Sequence, residues 1–138
     1  MKDIINEKVK HRQWFRPFAP SILEEKVNDW FTEYQESPYM QFVLKFKDEK
    51  KDEVPAVVHF DGTARLQTVR KEDNEWYYGF LKAWDSKTGV PIILNTSFND
   101  REPICETPGD AINCFLKTDI DFLYFFEENI LLRKVDDK

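Results

Sequence analysis

Two short apolar runs, Val54-Pro55-Ala56-Val57-Val58 and Val90-Pro91-Ile92-Ile93-Leu94, each break off into polar residues. Runs of that length and β-branched content have the size of buried strands rather than helices. The first empties into His59-Phe60-Asp61-Gly62-Thr63-Ala64-Arg65 and the second into Asn95-Thr96-Ser97-Phe98-Asn99-Asp100-Arg101. A third polar stretch, Lys10-His11-Arg12-Gln13-Trp14-Phe15-Arg16-Pro17-Phe18-Ala19-Pro20-Ser21, lies near the N-terminus. Open α/β sheets place ligands where their strands end. Cations, hydroxyls and amides held at such ends can grip an anion.

The remaining pattern predicts alternating helices and strands. Residues 21–34 read as a helix, with Ser21 and Glu24 as a capping box and Ile22, Leu23, Val27, Trp30, Phe31 and Tyr34 as its apolar stripe. Residues 39–47 alternate at strand period, and 47–53 form a charged, solvated loop. Residues 54–60 and 64–69 read as strands joined by an Asp61-Gly62 turn. Residues 74–88 read as a helix closed by Gly89, with Trp76, Tyr77, Phe80, Leu81 and Trp84 facing the core. A strand at 91–95, a polar loop, a helix capped by Thr107 and opened by Pro108, and strands at 121–126 and 129–134 follow. The order favours an α/β (α+β) domain, a mixed sheet with flanking helices.

Composition narrows the class. The 138 residues suffice for a single domain, and 41% are hydrophobic. The net charge is -6, which argues against general nucleic-acid binding, although an acidic shell can still contain a local basic cleft. Cys105 and Cys114 have no zinc spacing, and two free thiols suit a reducing, cytoplasmic setting. They read as core thiols. No apolar run approaches the ~20 residues that span a bilayer. Gly62, Gly79, Gly89 and Gly109 stand singly, so no glycine loop is present to cradle phosphates. Side chains and ordinary loop amides must do that work.

Three constellations carry chemistry. Lys10 and Arg12, with Arg16 four residues on, can clamp a polyphosphate if the segment is extended and its cations share a face. Such a segment is ordinarily a solvated basic arm; Trp14, Phe15 and Phe18 would anchor this one. His59, Asp61 and Arg65 surround a turn. His59 can donate to a phosphate or act as acid or base, and Asp61 can orient Arg65 or hold magnesium. A turn aspartate with a strand-end ion pair fits equally. Asn95, Ser97 and Asn99 offer three short polar groups on one side of a loop, either for phosphate oxygens or for their own backbone.

These runs, in this order, resemble the C-terminal domain of the bacterial antibiotic and nodulation-factor O-carbamoyltransferases. The likeness rests on Lys-x-Arg and Arg-Pro-Phe-Ala-Pro-Ser within 10–21 and on Pro-Ala-Val-x-His-x-Asp-Gly-Thr-Ala-Arg-Leu-Gln-Thr-Val at 55–69. It continues through Lys-Thr-Gly-Val-Pro-Ile-Ile-Leu-Asn-Thr-Ser-Phe-Asn at 87–99 and Glu-Pro-Ile with Thr-Pro-x-Asp-Ala within 102–111. It covers nearly the whole chain. Before Glu-Pro-Ile, Asn99-Asp100-Arg101-Glu102 lacks a glycine usual in the family.

The resemblance implies a YrdC-like fold, a twisted mixed sheet with a concave basic cleft. It implies that ATP and carbamoyl phosphate form a carbamoyl adenylate, with magnesium. It places Lys10, Arg12, Ser97 and Asn99 on the nucleotide phosphates, with Arg16, His59, Asp61, Arg65 and Asn95 in the family's other shared runs. Arg65 and His59 are then the residues nearest the chemistry. The family's N-terminal transfer domain, of the actin-like ATPase type, is absent from these residues, as in an excised domain or truncated product. The alternative expectation is a non-catalytic nucleotide-binding or docking module that completes a partner's active site. A weaker third is an RNA-binding module.

Overall fold

The computed structural model describes residues 1–135. Along the chain a helical turn α1 (Lys2–Ile4) runs into a π-helical turn, Ile5–Val9. Strand β1 (Ala19–Leu23) is followed by a 3-10 turn, Glu24–Lys26, and the short helix α2 (Val27–Trp30). Then come β2 (Val43–Lys45), a 3-10 segment Asp48–Glu53, β3 (Thr63–Arg65) and β4 (Gln67–Val69). Helix α3 (Glu75–Thr88), β5 (Ile92–Asn95), helix α4 (Pro108–Lys117), β6 (Phe122–Phe125) and β7 (Ile130–Arg133) complete it. The mixed α/β class expected from the sequence is what forms.

The chain divides into two compact units, residues 17–96 and residues 1–16 with the chain from Ser97 on. The first holds a three-stranded mixed sheet of order β4-β1-β5, with β1 parallel to β4 and antiparallel to β5. A two-stranded β2-β3 ladder stands beside it in the same unit. The second unit holds α1, α4 and the β6-β7 hairpin.

The helix expected over 21–34 does not form as such. Its first residues are the central strand. All five residues of β1 are buried, and a strand covered on both faces shows a continuous apolar run that imitates a helical stripe over a few residues. Ser21 is therefore no cap; its hydroxyl donates to Gln67 Oε1 at 2.8 Å. Pro20 is tolerated because the β4 ladder begins one residue later, at Ser21. Only Val27–Trp30 is α-helical.

The strand expected at 54–60 is also absent. Pro55 sits second in a turn that the Val57 N–H closes on the Val54 carbonyl at 3.1 Å, and proline favours that place. The expected Asp61-Gly62 turn is present, with Gly62 at φ 81 and its N–H donating to the His59 carbonyl. The strand read at 64–69 is split at Leu66, which is fully buried, as the chain passes from the β2 ladder to the β1 ladder. Only Val43–Lys45 of 39–47 is strand, though Leu44 and Phe46 point inward as expected. The charged stretch is a 3-10 segment clipped by Lys50–Glu53 and Lys51–Asp48 ion pairs.

Helix α3 follows its sequence. The Asn74 side chain accepts from the Tyr77 N–H, and Gly89, at φ 74, donates its N–H to Asp85. The capping box of α4 pairs Thr107 with Asp110 in both directions. The expected core face of α3 needs correction. Leu81 is fully buried against Leu23 and Val69, but Trp76, Phe80 and Trp84 are 43%, 46% and 41% exposed. Trp76 and Phe80 stack on each other at 5.8 Å. Leu81 with the half-buried Tyr77 and Tyr78 meets the core, and the Trp76, Phe80 and Trp84 side of α3 does not.

That contrast yields a stability test. Leu81→Ala should lower unfolding free energy by about 2–5 kcal/mol in a urea titration. Phe80→Ala should cost less than about 1 kcal/mol, because it leaves little cavity. Comparable losses for the two would mean that the aromatic face is buried in solution.

Candidate functional site

Antiparallel pairing places Ala19 opposite Asn95. The start of β1 and the end of β5 are therefore adjacent. The basic arm leads into one, and the Thr96-Ser97-Phe98-Asn99 loop leaves the other.

In the unit that contains residues 1–16, the arm is not extended. The Lys10 N–H donates to the Ile5 carbonyl, five residues back, at 2.9 Å, which ends the π turn. His11 then takes a left-handed backbone at φ 45 and reverses the chain. The alternation expected to put Lys10 and Arg12 on one face is replaced by this reversal. Phe18 is buried as expected, but Trp14 and Phe15 are exposed and lean edge-on against each other.

What anchors the arm is Lys10 itself, 5% exposed. Its ammonium donates to the Ser97 carbonyl at 2.5 Å, the Asn99 carbonyl at 2.7 Å and Asn99 Oδ1 at 2.9 Å, with Ser97 Oγ at 3.3 Å. Ser97 Oγ in turn donates to Asn99 Oδ1 at 2.7 Å, and the Asn99 amide donates to the Glu102 carbonyl at 2.7 Å. His11 Nδ1 meets Asp100 Oδ1 at 3.0 Å. Lys10, Ser97 and Asn99 are thus brought together, along a loop that also carries the acidic partner of His11. A cavity of roughly 410 Å³ opens beside Asn99, lined in part by Glu102, Cys105, Asn113, Cys114 and Lys117.

The cations of the arm repel one another. Burial, then Arg12, pull the Lys10 pKa below its ordinary 10.5. Burial, then Arg16, pull the Arg12 pKa down as well. The oxygens that hold Lys10 are neutral, and Asp100, the partner of His11, opposes the fall in its pKa.

The Arg12 guanidinium donates from Nε to Asn6 Oδ1 at 2.7 Å. Asn6 is fully buried and was not legible as a site residue.

In the unit of residues 17–96, the His59 N–H donates to the Thr63 carbonyl at 2.8 Å, and His59 Nδ1 lies 3.3 Å from Thr63 Oγ. Burial, chiefly, lowers the His59 pKa from 6.5, with Asp61 opposing and Arg65 assisting. His59 is therefore neutral at pH 7. Asp61 Oδ1 accepts from the Thr63 N–H at 3.0 Å and from Thr63 Oγ at 2.7 Å, which caps its own turn. Magnesium sites join one or two carboxylates to phosphate oxygens. Asp61 alone makes no cage, and among the described residues no three His, Cys, Asp or Glu side chains gather as a metal site. Arg65 is exposed on β3. Asn95 donates to Gln67 Oε1 at 2.8 Å, the same oxygen that accepts from Ser21. That shared acceptor cross-links β5, β4 and β1, a role for Gln67 that its sequence position did not announce.

The family model described as "Carbamoyltransferase C-terminus" matches residues 1–134. The nodulation protein NolNO of Sinorhizobium fredii is 49% identical over 126 residues, which is 88% of this chain and 18% of that protein. The nodulation protein NolO of Bradyrhizobium diazoefficiens is 45% identical over 126 residues, 88% of this chain and 23% of that protein. The uncharacterized protein MJ1051 of Methanocaldococcus jannaschii is 43% identical over 135 residues, 97% of this chain and 26% of that protein. The chain spans about a fifth to a quarter of the length of these relatives. Among the described residues no helix is long and apolar enough to cross a membrane. The Lys10 cage, the Thr107 cap and the Asn95 strand end all fall within the matched residues, and the chain belongs to the carbamoyltransferase C-terminal family.

Proposed function

We propose that this domain binds ATP and carbamoyl phosphate and forms a carbamoyl adenylate, as one half of an ATP-dependent O-carbamoyltransferase. The observation that carries the reading is the buried Lys10 ammonium held on neutral oxygens beside Arg12 and Arg16. Burial first, and then a neighbouring cation, lower the Lys10 and Arg12 pKa values, so a bound anion would favour their charged forms. Phosphate oxygens outbid neutral carbonyls as acceptors for an ammonium because the bond is charge-assisted. A nucleotide triphosphate would thus replace part of the Ser97 and Asn99 contacts to Lys10. The released Ser97 hydroxyl and Asn99 amide would turn to the same phosphates. The cavity beside Asn99 has the size of a small-molecule site.

Arg65 and His59 serve the second substrate in this reading. Arg65 offers a planar fork to the phosphate of carbamoyl phosphate, and neutral His59 offers one N–H donor or one acceptor. Once water has displaced phosphate from the carbamoyl group, an oxygen of the resulting carbamate bonds to the α-phosphorus of ATP. The bond to pyrophosphate breaks. The side chains position and neutralise, and none forms a covalent bond. Magnesium would enter with the nucleotide phosphates and neutralise part of their charge. The carbamoyl group would pass to an acceptor hydroxyl in a separate N-terminal domain of the actin-like type.

A second reading is a docking module without chemistry of its own. The exposed Trp76, Phe80 and Trp84 face favours it, as does the fact that the match covers only 18% and 26% of two of the relatives. Release of pyrophosphate by this chain alone from ATP and carbamoyl phosphate separates the two. Its absence, with ATP still bound, selects the docking module.

Calorimetry with ATP supplies the first test. Arg16→Ala should lower affinity about tenfold with little change in melting temperature, because Arg16 is exposed. Lys10→Ala should lose both affinity and stability, since it abandons the oxygens of Ser97 and Asn99. Unchanged ATP affinity in both variants would remove the arm from the site.

The pH profile is the second test. Only the protonated Lys10 attracts phosphate, and its pKa lies below 10.5. ATP affinity should therefore begin to fall, as pH rises above neutrality, at a lower pH than an ordinary lysine would give. Arg12→Gln removes a repelling charge and should move that fall to higher pH. A profile flat to pH 10.5, or a shift in the opposite direction, would contradict the assignment.

A further inference from the structure

Trp14 and Phe15 do not fix the arm, yet Arg12 and Arg16 are held in a defined loop. The group that does this is Asn6. It is fully buried in the middle of the π turn, and its side-chain amide is fully employed. Nδ2 donates to the Trp14 carbonyl at 3.1 Å and to the Arg16 carbonyl at 2.9 Å. Oδ1 accepts from Arg12 Nε at 2.7 Å. The Asn6 backbone carbonyl also accepts the Arg12 N–H at 2.9 Å.

This set of bonds is specific to asparagine. It needs two N–H donors and one acceptor on a short planar stem. Aspartate supplies the acceptor but not the donors, and would add a charge against Arg12. Leucine fills the volume but offers no bond to the Trp14 and Arg16 carbonyls or to Arg12 Nε. The π turn matters too. By closing on Ile5, five residues back, Lys10 widens the turn, and the chain reverses at His11 to bring Arg12 back over Asn6. π turns of this kind are frequent at functional sites.

A guanidinium bonded at Nε has its plane fixed, because the Nε–H lies in the same plane as the terminal nitrogens. We propose that Asn6 is the positioning residue of the phosphate-binding arm, setting the plane of the Arg12 fork and the path of residues 14–16. The proposal deepens the ATP reading above and rests on it for its ligand, but not for its geometry.

The test combines nuclear magnetic resonance with calorimetry on the whole chain. The Arg12 Nε–H cross-peak, assigned by its disappearance in Arg12→Lys, should be sharp and slow to exchange in the unliganded protein. Asn6→Ala should broaden it into fast exchange and lower ATP affinity about tenfold at a temperature where the variant is folded. In the Arg12→Lys background, Asn6→Ala should cost clearly less ATP affinity than in the native background, because only the path of residues 14–16 is then left to disturb. A sharp Arg12 peak in folded Asn6→Ala, or equal affinity losses in both backgrounds, would overturn the proposal. If Asn6→Ala does not fold, Asn6→Asp keeps the oxygen facing Nε. It should retain the protected peak while weakening ATP binding, and an unprotected peak in that variant overturns the proposal as well. Failure of the native chain to bind ATP would sink the nucleotide reading alone, since the resonance still decides whether Asn6 holds Arg12.

Discussion

A lysine ammonium out of water is the constraint on which the residue 1–16 arm depends. Moving such a charge indoors costs several kcal/mol even after relaxation, unless hydrogen bonds replace its hydration shell. Lys10 has three N–H donors, and the loop supplies two carbonyls, one amide oxygen and one hydroxyl. The acceptors come from residues 87 and 89 positions away. The whole of residues 17–96 lies between them in sequence, so folding that segment is what delivers Ser97 and Asn99 to Lys10. The sheet does this by pairing Ala19 with Asn95, which sends the arm and the loop out from neighbouring strand ends.

The central strand is the matching constraint in the other unit. β1 carries ladders on both sides and is buried throughout. Its one polar side chain, Ser21, cannot be left bare there, and Gln67 satisfies it from the adjacent strand. The same Gln67 oxygen takes the amide of Asn95, so a single acceptor ties three strands at one level. This accounts for a polar trio inside a sheet without invoking a ligand. It also explains how Asn95 can sit beside the phosphate-type loop and yet be committed to the scaffold.

What the sequence made legible, and what it hid, follows from the range of the forces. Helices α3 and α4 were readable because their ends are local: Asn74, Gly89, Thr107, Pro108 and Asp110 act within a turn of themselves. β1 was misread because burial on both faces erases the two-residue period that marks a strand. The 54–60 strand was lost to a local fact, the turn at Pro55, that the apolar run outweighed in the reading. Trp76, Phe80 and Trp84 have helical spacing on the same side as Leu81, and spacing alone does not say how wide the covered stripe is. Of the site, Lys10, Ser97 and Asn99 could be grouped through the family pattern. Asn6 could not, because a buried asparagine is indistinguishable in sequence from an exposed one.

The balance of charge then separates this site from an ordinary structural ion pair. The chain is acidic overall, with 26 Asp and Glu against 20 Lys and Arg. Carboxylates are therefore abundant, and elsewhere they are used: Arg70 alone meets Glu24, Glu36 and Asp73, which raise its pKa. Lys10 and Arg12 are shifted the other way, downward, chiefly by burial and then by a neighbouring cation, with Asp100 opposing the shift at Lys10. Lys10 is held on neutral oxygens, and Arg12 Nε donates to the neutral Asn6 amide oxygen. On the proposed ATP reading, an ammonium held by neutral acceptors would gain a charge-assisted bond when a phosphate oxygen replaces one of them.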